Sequence, residues 1–218
     1  MRLKGKTVIQ LTSGAPRDAR EGEAWAKQHG VAYLDGAIMG YPKDIGTSKG
    51  TILYAGSRTT FEVTQPVLHS LGGNALFVGE NIGNASALDG SLVGSFVAGT
   101  ILAFLHGAAM CEAEGVPLDT YLSVALKNVM PGLVADTMQT GVEMITKGSY
   151  AGSQATLDTW VAGIGYYVQF CRESGVDSTY PESVLGYLQR ARDQGYGQDE
   201  VAAVFECLRK KAERAKAE

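Results

Sequence analysis

A long uncharged segment constrains this chain more than any other feature of its sequence. Residues 90–111, GSLVGSFVAGTILAFLHGAAMC, include no Asp, Glu, Lys or Arg over 22 positions. That length suits a helix that spans a bilayer, but no second apolar span follows and no basic cluster flanks the segment. Gly90, Gly94 and Ala98 recur at helical spacing, which lets another helix approach closely. We therefore predict a soluble protein without a membrane partner, in which this helix is buried on nearly all sides.

The chain before Gly83 alternates between short apolar runs and helical stretches. Pro16 suits the first turn of a helix, with Thr12 or Ser13 available as its cap, and Gly30 suits a left-handed residue at its end. Continuous apolar runs between helices are typical of strands covered on both faces, which predicts a parallel sheet. The glycine-dense stretch 36–50 is predicted to be a loop. The predicted strands are residues 7–11, 31–34, 51–55 and 75–78.

After Gly83 the pattern is helical throughout. Predicted breaks include the pair Pro131-Gly132 and the glycines at 148 and 175. The fold class is therefore α/β plus all-α, and the predicted parts are residues 1–82, an inter-domain helix at 83–115, and a helical domain at 116–218. The predicted helices are 84–114, 118–128, 133–147, 157–173, 181–193 and 200–215.

Charge and cysteine content exclude several classes of protein. The 19 basic and 23 acidic residues give a net charge of −4, so there is no basic surplus to bind a nucleic-acid backbone. Cys111, Cys171 and Cys207 are odd in number and far apart, which argues against a disulfide framework or a structural zinc site and suits a reducing cytosol. The first residues lack the pattern of a signal peptide. These features predict a cytoplasmic protein without a metal or a nucleic-acid partner.

Common nucleotide-binding and catalytic motifs are missing from the sequence. A G-x-G-x-x-G fingerprint would bring backbone amides and a helix N-terminus to a pyrophosphate, and the chain contains none. The P-loop and H-E-x-x-H motifs are missing too. The G-x-G at Gly163 and Gly165 lies in a helical, aromatic stretch and is interpreted as helix packing.

Several strings, in order along nearly the whole chain, resemble one enzyme family. They are TVIQLTSGAP, LDGAIMGYPKDIG, ILYAGS, LGGNALFVGENIGNASALD, FLHGAAM and AEGV. Together they are similar to the NADPH-dependent imine reductases and reductive aminases, which are relatives of β-hydroxyacid dehydrogenases. The resemblance implies a Rossmann domain, a long inter-domain helix and a helical domain like that of 6-phosphogluconate dehydrogenase. It also implies a domain-swapped homodimer, with each active site between one subunit's Rossmann domain and the other's helical domain.

The same resemblance assigns roles near the nicotinamide. Asp89 matches the carboxylate that protonates or anchors the substrate nitrogen, at a position where β-hydroxyacid dehydrogenases have a lysine. A carboxylate fits imine chemistry, because protonation makes C=N electrophilic and an anion stabilises an iminium ion. Gln10, Thr12 and Ser13 match strand-end residues near the nicotinamide and its ribose. Two alternatives stay open: Asp89 caps or solvates the start of the long helix, and the other three are helix caps.

The resemblance also implies a substrate pocket. Trp160 would lie on the wall from the partner subunit, where it either stacks on a substrate cation or is an ordinary core tryptophan. The implied pocket residues are Met39, Tyr41, Val97, Met130, Thr159 and Trp160.

The chain departs from the family at its start. Members begin with a Gly-rich strand–turn–helix and the residues that select NADPH, and this chain begins at later strands, so we expect a truncated Rossmann-type sheet. A naturally short protein, a misassigned start and a truncated gene are all open. NADPH is the implied cofactor, and its binding is expected to be weak or absent without the Gly-rich turn.

Three functions follow from these observations. The first is NADPH-dependent reduction of imines or iminium ions with Asp89 as the acid. The second is cofactor-free acid–base catalysis by Asp89, as a cyclase, isomerase or lyase on an imine-like compound. The third is a non-catalytic subunit or pseudoenzyme. The implied partners are a second copy of the chain and a small imine- or amine-like substrate.

Overall fold

The structure, a computed structural model, describes residues 3–152 and 154–209. The chain divides into two compact units, with the boundary between Leu102 and Ala103. The three-part division at residues 83 and 116 stays a prediction.

The first unit contains a mixed four-stranded sheet. Its strands lie in the order β1-β2-β3-β4. The β1–β2 and β3–β4 pairs are parallel, but β2 and β3 are antiparallel, so the predicted parallel sheet is wrong at that pairing. The strands are β1 (Thr7–Gln10), β2 (Ala32–Met39), β3 (Thr51–Gly56) and β4 (Asn74–Phe77).

The connections explain these strand directions. Helices α1 (Pro16–Gln28) and α2 (Arg58–Leu71) provide the crossovers within the two parallel pairs. Between β2 and β3 the chain has only a short 3₁₀ turn, Pro42–Asp44, whereas a parallel return needs a dozen or more residues. The predicted loop at 36–50 is also wrong at its start, because residues 36–39 pair with β3 and extend β2.

Helix α1 begins and ends largely as predicted. Pro16 is its first residue and Gly30 follows it with a left-handed φ of 64°. The prediction that Thr12 or Ser13 caps this helix is wrong, because Ala15 precedes its first turn. The backbone N–H of Ala15 instead donates to the Asp18 carboxylate at 2.8 Å.

The two faces of the sheet bury different clusters, because side chains alternate along each strand. Helix α3 (Asn84–Asp89) covers the second face. The first cluster is Leu34, Ile52, Tyr54, Phe61 and Leu68. The second cluster is Ala37, Leu53, Ala55 and Ala85.

The predicted long helix is confirmed. After α3 the chain continues through a π-helical segment, Gly90–Val97, into α4 (Ala98–Ala113). Asn84–Ala113 is long and apolar enough to cross a membrane by length and composition, and its most apolar window is 0% buried in the single chain. One chain by itself therefore does not bury this helix, and its burial against a second copy stays a prediction. A helix without a polar face needs neighbours on several sides, and the described residues of one chain supply too few.

The second unit is helical and has its own core. The predicted break at Pro131-Gly132 is wrong, because α5 and α6 are joined by a π-helical segment, Ala125–Val134, that contains Pro131. The wider π turn accommodates a residue that has no N–H to donate. Of the last predicted helix, residues 210–215 lie outside the described residues. The core comprises Tyr150, Leu157, Leu188, Ala191 and Ala203. The helices are α5 (Leu118–Val124), α6 (Ala135–Lys147), α7 (Leu157–Ser174), α8 (Thr179–Ala191) and α9 (Phe205–Leu208).

Candidate functional site

A cavity of about 320 Å³ lies at the C-terminal ends of β1 and β2 in the first unit. Ligands of open α/β sheets bind at such strand ends. The volume is near the lower end of the range for small-molecule sites, so it suits a single ring or a small substrate rather than a whole dinucleotide. The lining residues are Leu11, Thr12, Ser13, Ala37, Ile38, Gly40, Pro42, Ile45 and Asp89.

Asp89 supplies the charged side chain of this mostly apolar lining. It is half-buried and is the last residue of α3, after which the helix continues. The helix begins at Asn84, so the alternative in which Asp89 caps its start is wrong. The position leaves a carboxyl group facing a small cavity, where it can exchange a proton with a bound ligand.

Two predicted cofactor residues line the same cavity, and the third supports them. Thr12 and Ser13 contribute exposed hydroxyl groups. The Gln10 Oε1 atom accepts hydrogen bonds from the Thr12 N–H at 2.6 Å and the Thr12 hydroxyl at 3.0 Å, which holds the turn after β1. None of the three caps α1, so their helix-cap alternative is also wrong.

The other predicted pocket residues of the first unit lie next to the cavity or on the helix surface. Met39 is half-buried at the end of β2 and packs against the cluster that contains Ala37. Tyr41 is 70% exposed, and the Lys43 Nζ atom lies 6.0 Å from its ring centroid. Val97 is exposed in the π-helical segment of the long helix.

The predicted residues of the second unit lie on its helices. Met130 is half-buried in the π-helical segment before α6. Thr159 and Trp160 line an apolar cavity of about 200 Å³ beside Tyr167. Trp160 also packs against the core of this unit. The Thr159 N–H donates to the hydroxyl of Thr156, the cap of α7, at 3.3 Å.

Sequence reasoning missed Asp35, a buried carboxyl group near the cavity. Asp35 is 2% exposed and lies on the face of β2 that α3 covers. Its carboxyl group accepts a 2.5 Å hydrogen bond from the Ser86 hydroxyl. Burial raises the pKa of Asp35 above its ordinary value, and the charge of Asp89 adds to this, while the hydrogen bonds from Ser86 oppose it. A single acidic residue inside the apolar run AYLDGAIM was the available clue.

Metal-binding and disulfide chemistry have little support in the part of the chain that the structure describes. Within residues 3–152 and 154–209, no group of three or more His, Cys, Asp or Glu side chains could hold a metal ion. The three cysteines of the chain are free thiols.

Known proteins are similar to this chain over nearly its whole length. The family described as NADPH-dependent reductive aminase-like, C-terminal domain, matches residues 81–210, and the NAD binding domain of 6-phosphogluconate dehydrogenase matches residues 2–79. An NADPH-dependent reductive aminase from Aspergillus oryzae is 30% identical over 207 residues, which cover 94% of this chain and 69% of that protein.

Solved structures have the same fold. An imine reductase from Myxococcus stipitatus, the V8 variant in complex with NAD⁺, has a TM-score of 0.86 and 32% identity, over 96% of this chain and 73% of that one. A reductive aminase from Aspergillus terreus, in complex with NADPH and ethyl levulinate, has a TM-score of 0.82 and 28% identity, over 94% of this chain and 71% of that one.

Proposed function

Because the chain belongs to the reductive aminase-like family of NADPH-dependent oxidoreductases, we propose that it reduces C=N bonds of imines or iminium ions. The observation that carries this proposal is the shared cavity of Asp89, Thr12 and Ser13. One carboxyl group and two hydroxyl groups in an apolar lining suit a small, basic, mostly apolar substrate.

Asp89 acts on the substrate nitrogen in this proposal. Its carboxyl group donates a proton to an imine nitrogen, which makes the adjacent carbon more electrophilic. For a substrate that arrives as an iminium ion, the Asp89 carboxylate stabilises the positive charge instead. The apolar residues Leu11, Ile38 and Ile45 of the lining provide contacts for the apolar part of the substrate. Asp89 then recovers a proton from solvent.

The site suits the nicotinamide end of NADPH better than it suits the pyrophosphate. NADPH, when bound, supplies a hydride to the imine carbon. The hydroxyl groups of Thr12 and Ser13 are suitable partners for the amide and ribose of its nicotinamide end. The N-terminus of α1 does not fit a pyrophosphate, because the Asp18 carboxylate already accepts from the Ala15 N–H there and would repel phosphate.

A second copy of the chain is part of the same proposal. The long helix exposes large apolar side chains, including Phe96 at 42%, Leu102 at 55% and Leu105 at 59%. A partner helix that crosses near Gly90, Gly94 and Ala98 would cover them, in the domain-swapped homodimer that the family resemblance implies. The helical unit of the second copy would then supply the wall that contains Thr159 and Trp160. Three free thiols suit the cytoplasm as the location of this dimer.

The test is NADPH consumption by the purified chain with a panel of cyclic and acyclic imines. We expect imine-dependent oxidation of NADPH and formation of the matching amine. Conversion of an imine-like compound without NADPH, and dependent on Asp89, would support cofactor-free acid–base catalysis instead. No conversion and no binding of NADPH or of imines would support the non-catalytic alternative.

A further inference from the structure

Asp35 is a buried carboxyl group whose partners lie on a different element. Apart from tyrosine and cysteine, Asp35 and Ser86 are the only buried polar or charged side chains among the residues that the structure describes. No ion pair to Asp35 occurs within the described residues. A buried carboxyl group without a cation is costly unless hydrogen bonds compensate for its lost hydration.

Ser86 provides these hydrogen bonds from the first turn of α3. Its hydroxyl donates to Asp35 Oδ2 at 2.5 Å, and its backbone N–H is close enough to the same carboxyl group to oppose the rise in the pKa of Asp35. Ser86 is the third residue of the helix, where a backbone N–H has no partner within the helix. Asp35 therefore joins the start of the long helix to the middle of β2, across 51 positions of sequence.

The contact between Asp35 and Ser86 lies one helical turn from Asp89, the proposed acid. Asp89 follows Ser86 by three residues, and residues at that spacing are neighbours on a helix surface. Ala37 is two residues beyond Asp35 on the same face of β2, and it lines the cavity together with Asp89. The charge of Asp89 is close enough to act on the titration of Asp35.

The other neighbours of Asp35 in the sheet carry no charge that would compensate for the burial of its carboxyl group. Gln10 on β1 and Ala55 on β3 are its register partners in the sheet. Gln10 Oε1 is already used by Thr12. Tyr33, two residues away on β2, is neutral at physiological pH because burial and the charge of Asp35 raise its pKa above 10.0.

We infer that Asp35 is a positioning residue that, through Ser86, holds the first turn of α3 against β2 and so sets where the Asp89 carboxyl group lies in the cavity. This inference rests on the proposed function for its catalytic consequence. The geometry itself does not depend on that function.

The experiment uses the full chain, three variants and two matched controls. Asp35→Asn keeps an acceptor oxygen for Ser86 but removes the charge, and Ser86→Ala removes the hydroxyl donor. Ser86→Thr restores a hydroxyl group. Ser70→Ala is the control for Ser86, because Ser70 is exposed and its hydroxyl donates only within its own helix. Asp119→Asn is the control for Asp35, since Asp119 is exposed on α5.

The first measurement is the chemical shift of the Asp89 carboxyl carbon at one fixed pH, assigned with Asp89→Asn. We expect Asp35→Asn and Ser86→Ala to move this resonance beyond the spread of the two controls, and Ser86→Thr to return it toward the wild-type value. An unmoved Asp89 resonance in both Asp35→Asn and Ser86→Ala would overturn the inference, whatever the enzyme activity.

The second measurement separates kcat from KM, below the melting temperature of every variant. We expect Asp35→Asn and Ser86→Ala to lower kcat by about 10- to 100-fold through misplacement of the acid. KM for NADPH should change less than about threefold, because these substitutions leave interactions that are equal in the ground state and the transition state unchanged. If Asp35→Asn lowers the melting temperature but leaves kcat unchanged, Asp35 stabilises the fold and does not position Asp89. If the wild-type chain reduces no imine, the proposed function fails, and the Asp89 resonance still decides the positioning role.

Discussion

The backbone N–H of Ala15 donates a 2.8 Å hydrogen bond to the carboxylate of Asp18, three residues along the chain. This contact satisfies one of the free N–H groups at the start of α1. It also places a negative charge where a helix N-terminus would otherwise attract an anion. In the turn after β1, Thr12 and Ser13 line the cavity.

This contact leads to a prediction about cofactor affinity. We expect the 218-residue chain by itself to bind NADPH only weakly, because amide groups at a helix N-terminus normally supply much of the pyrophosphate binding. Isothermal titration calorimetry with NADPH measures this directly. A low-micromolar dissociation constant would contradict the prediction and show that other residues hold the phosphates.

Asp89→Asn tests the acid directly. The loss of a general acid costs typically about 10²- to 10⁴-fold in rate, so we expect imine reduction to fall within this range. The fold should be retained, since Asn is isosteric and Asp89 is not a cap of the helix. Circular dichroism and light scattering check the fold and the assembly, and Asp119→Asn is the matched control. Activity within about threefold of the parent would remove Asp89 from the chemistry.

Gly94→Leu tests the assembly. A side chain at Gly94 would meet no heavy atom within 4 Å in the single chain, and leucine favours a helix over glycine. The substitution should therefore leave the fold of one chain intact but force a partner helix away. We expect a wild-type dimer that buries more than about 2,000 Å², and loss of that dimer with poorer solubility in Gly94→Leu.

Light scattering at micromolar concentration measures this outcome. Gly186→Leu on α8 is the control, because a side chain there also meets nothing within 4 Å. A monodisperse wild-type monomer, or a dimer equally stable in Gly94→Leu, would contradict the prediction.

Tyr54→Phe should stabilise the protein. The Tyr54 hydroxyl is buried and has no hydrogen-bond partner among the described residues, so its removal should raise the free energy of unfolding by about 1 kcal/mol. Burial also raises the pKa of Tyr54 from 10.0 to about 12. The folded state thus holds this proton more tightly, so the wild-type stability falls as pH rises from 10.0 to about 12.

Phenylalanine cannot ionise, so the advantage of Tyr54→Phe should grow over that alkaline range. Urea titrations at neutral and alkaline pH measure it. Tyr166→Phe, at a residue that is 73% exposed, is the control at neutral pH. A destabilised Tyr54→Phe would mean that the hydroxyl has a partner.

Asp35→Asn should alter the pH dependence of stability. Burial, with a contribution from Asp89, raises the pKa of Asp35 above 3.8. The folded state therefore binds this proton more tightly than the unfolded chain does. The stability from Asp35 is complete below 3.8 and is lost as pH rises through the folded value. Asn has no such loss, so the stability of the variant minus that of the wild type should increase with pH. Urea titrations from acidic to neutral pH measure this difference, and a constant or decreasing difference would contradict the sign.

The sequence by itself determined where individual helices form and which side chains are candidates for the cavity. Pro16 and Gly30 marked α1, because proline and glycine restrict or permit particular backbone angles. The uncharged segment 90–111 predicted the long helix. The family resemblance singled out Thr12, Ser13 and Asp89, and the structure brings these three to one cavity.

Only the tertiary structure decided the direction of β2 against β3, the continuity of the helix through Pro131, and the role of Asp35. Strand direction depends on which strand lies alongside and on the length of the connection, neither of which an apolar run specifies. Pro131 is tolerated because a π-helical segment surrounds it. Asp35 is buried because alternation along β2 turns it toward α3, where Ser86, 51 positions away, donates its hydrogen bonds. A contact at that separation depends on packing, so a linear pattern of residue types does not contain it.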